Sequence, residues 1–292
     1  MRKTITALWL GVASCLLFSP AHANAEDAAA PSPAIRIQGN NWRMAPSDIE
    51  NVLRLASDQI LRHFPGRKLG DLTVSHWESR PKIFFDRGPR GDYRVMLSAS
   101  EGYWAQYTYQ FTHELTHVLS NYDRIQEGKN EWFEEALCET ASLFVLSRMR
   151  RAWETTPPPY YSRSWGINFE RYLDDMLAEP SRKLPADTTM ARWLELNLPA
   201  LTSNRDSDRA LLVAAHLLPI FQDNPEGWEA LNWVSLGADD GALDFAQYLQ
   251  GWHDRVPEKH KKLVRRIQQL FGYEPPPAAQ LNGTAPSSRA GA

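Results

Sequence analysis

Two histidines four positions apart, His113 and His117, constrain this chain more than any other feature. They lie in the stretch Gln110-Phe111-Thr112-His113-Glu114-Leu115-Thr116-His117-Val118-Leu119. Four residues carry a helix just past one turn, so both imidazoles project from one face. Imidazole is a common metal ligand, and a pair at this spacing can close on one ion from one side. Glu114 falls about 100° round the helix from His113, where it can act on a water held by the ion without ligating it. Leu115, Thr116, Val118 and Leu119 are uncharged, as a buried helix at a site requires.

The pattern His-Glu-x-x-His is that of zinc hydrolases, in which the glutamate serves as general base. Catalytic zinc sites use three protein ligands and leave a place for water, so a third ligand is expected. After His117 the chain passes through Asn121-Tyr122-Asp123 and Gly128, which read as a loop. A second helix is predicted from Asn130, its N-cap, with Glu131 at the positive end. Glu131, Glu134, Glu135 and Glu139 compete for the ligand position. Glu135 and Glu139 are one turn apart and share a face. With Glu135 as ligand, Glu139 is placed to accept the second ring N–H of a ligating histidine. With Glu134 as ligand, Cys138 takes that place, and a thiol is the weaker acceptor. Helical phase therefore favours Glu135, with Glu134 the alternative.

His113-Glu114-Leu115-Thr116-His117 followed by Trp132-Phe133-Glu134-Glu135-Ala136 resembles the gluzincin superfamily of metallopeptidases, the thermolysin-like clan. The resemblance covers about residues 93–146, and 17 positions separate His117 from Glu135. It implies a zinc ion held by His113, His117 and Glu135, with Glu114 as the base. It also implies that Glu139 orients a ligand histidine, and that a small sheet precedes the first helix.

At 292 residues the chain is long enough for a core that needs no disulfide staples. A net charge of −3 without a long basic tract argues against nucleic acid as partner. Met1-Arg2-Lys3, the apolar run Thr4 to Phe18 and the small residues around Ala23 read as a secretory signal peptide. A periplasmic or secreted location follows. Val12-Ala13-Ser14-Cys15 also offers a lipoprotein box, which the apolar Leu16-Leu17-Phe18 beyond it disfavours. No stretch approaches the length of a stable transmembrane span. Cys138 is then the only cysteine left, expected as a buried, inert thiol.

In chain order the expectation is a signal peptide at 1–25, a flexible leader at 26–34 and a zincin-like catalytic domain at 35–151. A helical lobe at 152–273 and a disordered Pro/Ala/Ser tail at 274–292 follow. The fold class is α+β: a small mixed N-terminal sheet packed on the His-Glu-x-x-His helix, then an all-helical C-terminal part. Pro46 opens a helix to about His63. Leu72–Val74, Lys82–Phe85 and Tyr93–Leu97 read as strands. On the gluzincin resemblance the last strand lies at an edge near the cleft, where residues 93–98 would hold an extended peptide by β-augmentation; an ordinary internal strand is the alternative. Tyr103, Trp104, Tyr107 and Phe111 are expected to pack the active-site helix into the core.

The expected function is zinc-dependent hydrolysis of a peptide or protein substrate. A further polar donor for the developing oxyanion is sought among Tyr160, Tyr161 and His216. The alternative is an exported binding protein that keeps the zinc site without turnover. A cell-wall amidase shares the chemistry but not the substrate.

Overall fold

The computed structural model describes residues 32–124, 128–201 and 207–273. The predicted signal peptide, the leader up to residue 31 and the 274–292 tail lie outside them. The fold is mixed α and β, with one four-stranded sheet and a predominance of helix.

Strand β1, Ile35–Gln38, leads into helix α1, Pro46–Leu61, and then into β2, Leu72–His76. Pro46 opens α1 because a first-turn residue needs no hydrogen-bonded N–H. Ile49, Val52, Leu53, Ala56 and Ile60 form its buried stripe at helical spacing. Short β3, Lys82–Ile83, and β4, Tyr93–Leu97, complete the sheet in the order β1-β2-β4-β3. β1 and β4 flank β2 in parallel, whereas β3 runs antiparallel to β4. Leu72 and Val74 of β2, with Val95 and Leu97 of β4, are buried in the core. Alternation sends Ser75, Arg94 and Met96 to the opposite face.

This order overturns the expectation that residues 93–98 form the edge. β4 is paired on both sides, and β3 takes the outer position. Sequence order made β4 look terminal, but β2 returns beside it in parallel and pushes the preceding strand outward.

Helix α2, Trp104–Leu119, carries the paired histidines, and α3, Glu131–Thr155, carries the glutamates. Trp104, Tyr107 and Phe111 are buried as expected, but Tyr103 is 61% exposed because it precedes the helix instead of lying on its inner face. Asn130 stands before α3, yet its side chain donates to Leu243 O at 3.2 Å instead of capping the helix. From Trp132 to Trp153, α3 is buried around most of its circumference. A helix apolar on all sides belongs inside a core.

Beyond Pro157-Pro158-Pro159 come α4, Ile167–Ala178, α5, Met190–Asn197, and α6, Ser207–Asp223. A 3-10 stretch, Pro225–Trp233, precedes α7, Phe245–Arg255, and α8, Glu258–Leu270. Buried Phe169, Phe221, Trp228 and Trp252 from this part join Ile35, Trp42 and Leu53 in one apolar cluster around α3. Deleting any of these large aromatics to alanine would cost about 3–5 kcal/mol. No helix among the described residues is long and apolar enough to cross a membrane.

Candidate metal centre

Two fastenings fix α2 beneath the sheet. Gln110 Oε1 accepts the backbone N–H groups of Ser98 and Ala99, both at 2.9 Å, which ties the end of β4 to the helix. At the other end Asn121 adopts φ of +63°, a left-handed conformation that ends the helix. Its amide donates to Val234 O at 2.9 Å and reaches Leu231 O and Asn232 O at 3.3 Å. Ser142 Oγ, donating to Tyr109 O at 2.9 Å, ties α3 to α2.

Between these two helices His113 and His117 lie side by side, ring centroids 5.0 Å apart. Glu135 faces both: Oε2 is 3.2 Å from His113 Nε2, and Oε1 is 3.6 Å from His117 Nε2. Each histidine turns its other nitrogen to a different carboxylate. His113 Nδ1 is 3.3 Å from Glu139 Oε1, and His117 Nδ1 is 3.0 Å from Glu134 Oε1. The arrangement leaves both Nε2 atoms aimed at one carboxylate. Glu134 is thereby placed behind His117, not between the two rings.

Two supports were not among the sequence candidates. Tyr109 Oη donates to Glu139 Oε2, and Ser120 Oγ donates to Glu134 Oε1 at 2.8 Å. Tyr109 sits one turn before His113, and Ser120 three residues after His117, so helical phase could have flagged both.

Burial governs the electrostatics. It pushes Glu139 up to about 8, with Arg182 acting against it. Burial also disfavours the charged form of Glu135, but His117 and His113 outweigh it and bring that carboxyl down to about 2. For His117 burial opposes the imidazolium, while Cys138, Glu135 and the Glu134 hydrogen bond raise its pKa above the usual value. Glu114, 3% exposed, is raised by burial against the pull of His113 and His117. The Ile83 backbone N–H also pulls it down, and β3 packs against α2, which brings the edge strand to the site.

Cys138 also belongs to this neighbourhood. His113, His117 and Cys138 offer ligand atoms that all lie within 4.8 Å of one another, and this group can hold a metal ion. Burial pushes the thiol up to about 12. The expectation of a buried thiol stands, and Cys138 lies beside His117, a place the sequence offered it only with Glu134 as ligand.

None of the three candidate oxyanion donors turns a polar group to the histidine pair. Tyr160 is fully exposed, Tyr161 Oη donates to Asp48 Oδ2 at 3.1 Å, and His216 Nδ1 is 2.8 Å from Leu212 O. Nearer the histidines stands Tyr122, its ring 6.4 Å from His117 and its hydroxyl donating to Phe84 O at 2.7 Å.

Comparison with family models, curated proteins and solved structures returns no match for this chain.

Proposed function

We propose that the protein is a zinc-dependent peptidase of the gluzincin type, with His113, His117 and Glu135 as ligands and Glu114 as general base. The observation that carries this reading is the position of Glu135 opposite both Nε2 atoms while separate carboxylates hold both Nδ1 atoms. Ligand histidines ordinarily give the second ring N–H to such a partner, which fixes tautomer and orientation. Two imidazoles and a carboxylate suit zinc, and a neighbouring thiol does not spoil that preference.

Zinc held there supplies Lewis acidity and lowers the pKa of water towards neutrality. Glu114 takes the proton of the attacking water on its carboxylate and passes it to the leaving amine. Its burial, by raising its pKa, moves it towards the range where a general base works at neutral pH. Glu139 and Glu134 keep the imidazoles from turning. The outer edge of β3, not residues 93–98, is where an extended chain would add to the sheet, with the Ile83 N–H already turned towards Glu114. We read residues 1–25 as an export signal, which puts the substrates in the periplasm or outside the cell.

The test is metal analysis of the purified protein together with digestion of a peptide library, with and without chelator. Stoichiometric zinc and chelator-sensitive cleavage are expected. Zinc bound without cleavage would favour the exported binding protein, and absence of metal would sink both readings.

A further inference from the structure

On the face of the sheet turned away from α2 lies a groove of about 480 Å³. Arg90, Arg94, Phe84, Ser75, Asn40 and Asn41 contribute to its walls. Arg94 in its wall and the adjacent Lys82 carry charge that no described carboxylate answers within 4.0 Å. Arg94 places its guanidinium 4.4 Å from the Phe84 ring centroid, and Lys82 places Nζ 4.6 Å from the same centroid. Lys82 also lies 5.1 Å from the ring of Trp77. Among the described residues neither cation has a carboxylate within 4.0 Å. Arg90 differs, since it donates to Thr73 Oγ1 at 3.1 Å and lies 3.7 Å from Asp92.

Register explains why these charges matter. Lys82 pairs with Met96 and Ile83 with Val95, so Lys82 and Phe84 share the groove face with Arg94 and Met96. Phe84 N donates to Arg94 O at 3.0 Å, which turns the backbone of Ile83 to the unpaired side. On that side the Ile83 N–H helps to hold down the pKa of Glu114, and β3 packs against α2. An extended chain laid along β3 would therefore pass the candidate metal centre and send every second side chain over Lys82, Phe84 and Arg94. Contact with one aromatic ring steadies both cations but does not neutralise them.

We propose that this cationic and aromatic face selects peptides bearing acidic side chains at alternate positions. The inference rests on the peptidase reading for the place of cleavage, but binding is separable from turnover. Each pair would be partly exposed and worth roughly a threefold gain in affinity, so two together give about tenfold.

The test is fluorescence anisotropy with the full-length Glu114→Gln protein and three short labelled peptides. One carries glutamate at every second position, one is its glutamine twin, and one has the same composition with the glutamates in a block. The alternating acidic peptide should bind about tenfold tighter than its twin at low salt, with the gain shrinking as salt rises. Lys82→Gln should lose about threefold for the acidic peptide and nothing for the twin. Lys82→Glu should prefer a lysine-bearing counterpart. Equal binding of acid and amide, or of alternating and blocked peptides, overturns the proposal. So does tighter binding of polyphosphate or an anionic glycan, which would mark an anion site unrelated to strand pairing. If selective binding persists but the wild-type protein cleaves nothing, the peptidase reading alone fails. Cleavage without acidic preference removes this inference alone.

Discussion

Glu139 meets His113 through Nδ1 at 3.3 Å, and that contact decides which nitrogen of the ring confronts Glu135. Tyr109 holds the other oxygen of the same carboxylate, so the orienting group is itself oriented. Glu139→Ala should weaken zinc binding about 10- to 100-fold, as loss of such an outer partner does. Competition titration against a chromogenic chelator measures it. Unchanged affinity would show that His113 is held by packing instead.

A thiol and a carboxylate both stand near the histidine pair, and two substitutions separate them. Glu135→Gln should cost more zinc affinity than the roughly 10- to 100-fold expected for Glu139. Cys138→Ser should leave the metal stoichiometry intact. If the serine variant loses the ion and the glutamine variant keeps it, the ligand set is His113, His117 and Cys138.

Glu114→Gln should keep zinc and lower hydrolysis by about 10²- to 10⁴-fold, the usual contribution of a positioned base. Full turnover by this variant would reject the mechanism.

Asn121 joins the end of α2 to the 3-10 segment at Pro225–Trp233 and does so from a left-handed backbone. Asn121→Gly loses the amide contacts but tolerates the conformation, costing about 1–2 kcal/mol. Asn121→Ala loses both, and should be about 1 kcal/mol worse than glycine. Urea unfolding of the two variants gives the comparison. Equal stabilities would mean the backbone relaxes out of the left-handed region.

Asp92 provides the pH prediction. Its carboxyl is held below the usual value by the Thr73 hydroxyl first, and also by the Arg90 backbone and guanidinium. A depressed folded-state pKa means stability that is present above the unfolded value and lost as pH falls through the folded one. Asp92→Asn should therefore lower the melting temperature at pH 7, and the difference from wild type should close below about pH 4. A difference that persists at low pH would point to packing, since Asp92 also sits against Gly88.

Local signals carried the sequence reading a long way. Helical phase placed the imidazole pair, and it separated Glu135 from Glu134 because both residues report their side of one regular helix. It could not rank the strands, since a two-residue strand such as β3 has no periodicity and spatial order depends on which neighbour returns. Nor did it find Tyr109 or Ser120, whose hydroxyls matter only once two helices are docked. Cys138 next to a histidine followed from helical phase only with Glu134 as ligand, because phase alone does not say how closely two docked helices approach. The 3-10 character of Pro225–Trp233 was likewise hidden, because 3-10 and α segments share most of their composition.

α3 is wrapped by the core around most of its circumference, so packing of its own side chains positions the carboxylates it presents. If the centre holds zinc, folding should depend on this packing more than on the ion, unlike small domains that collapse only around zinc. On that reading, stripping the ion should leave a folded protein that recovers activity on simple readdition. Heat, by contrast, should extinguish centre and scaffold in a single step.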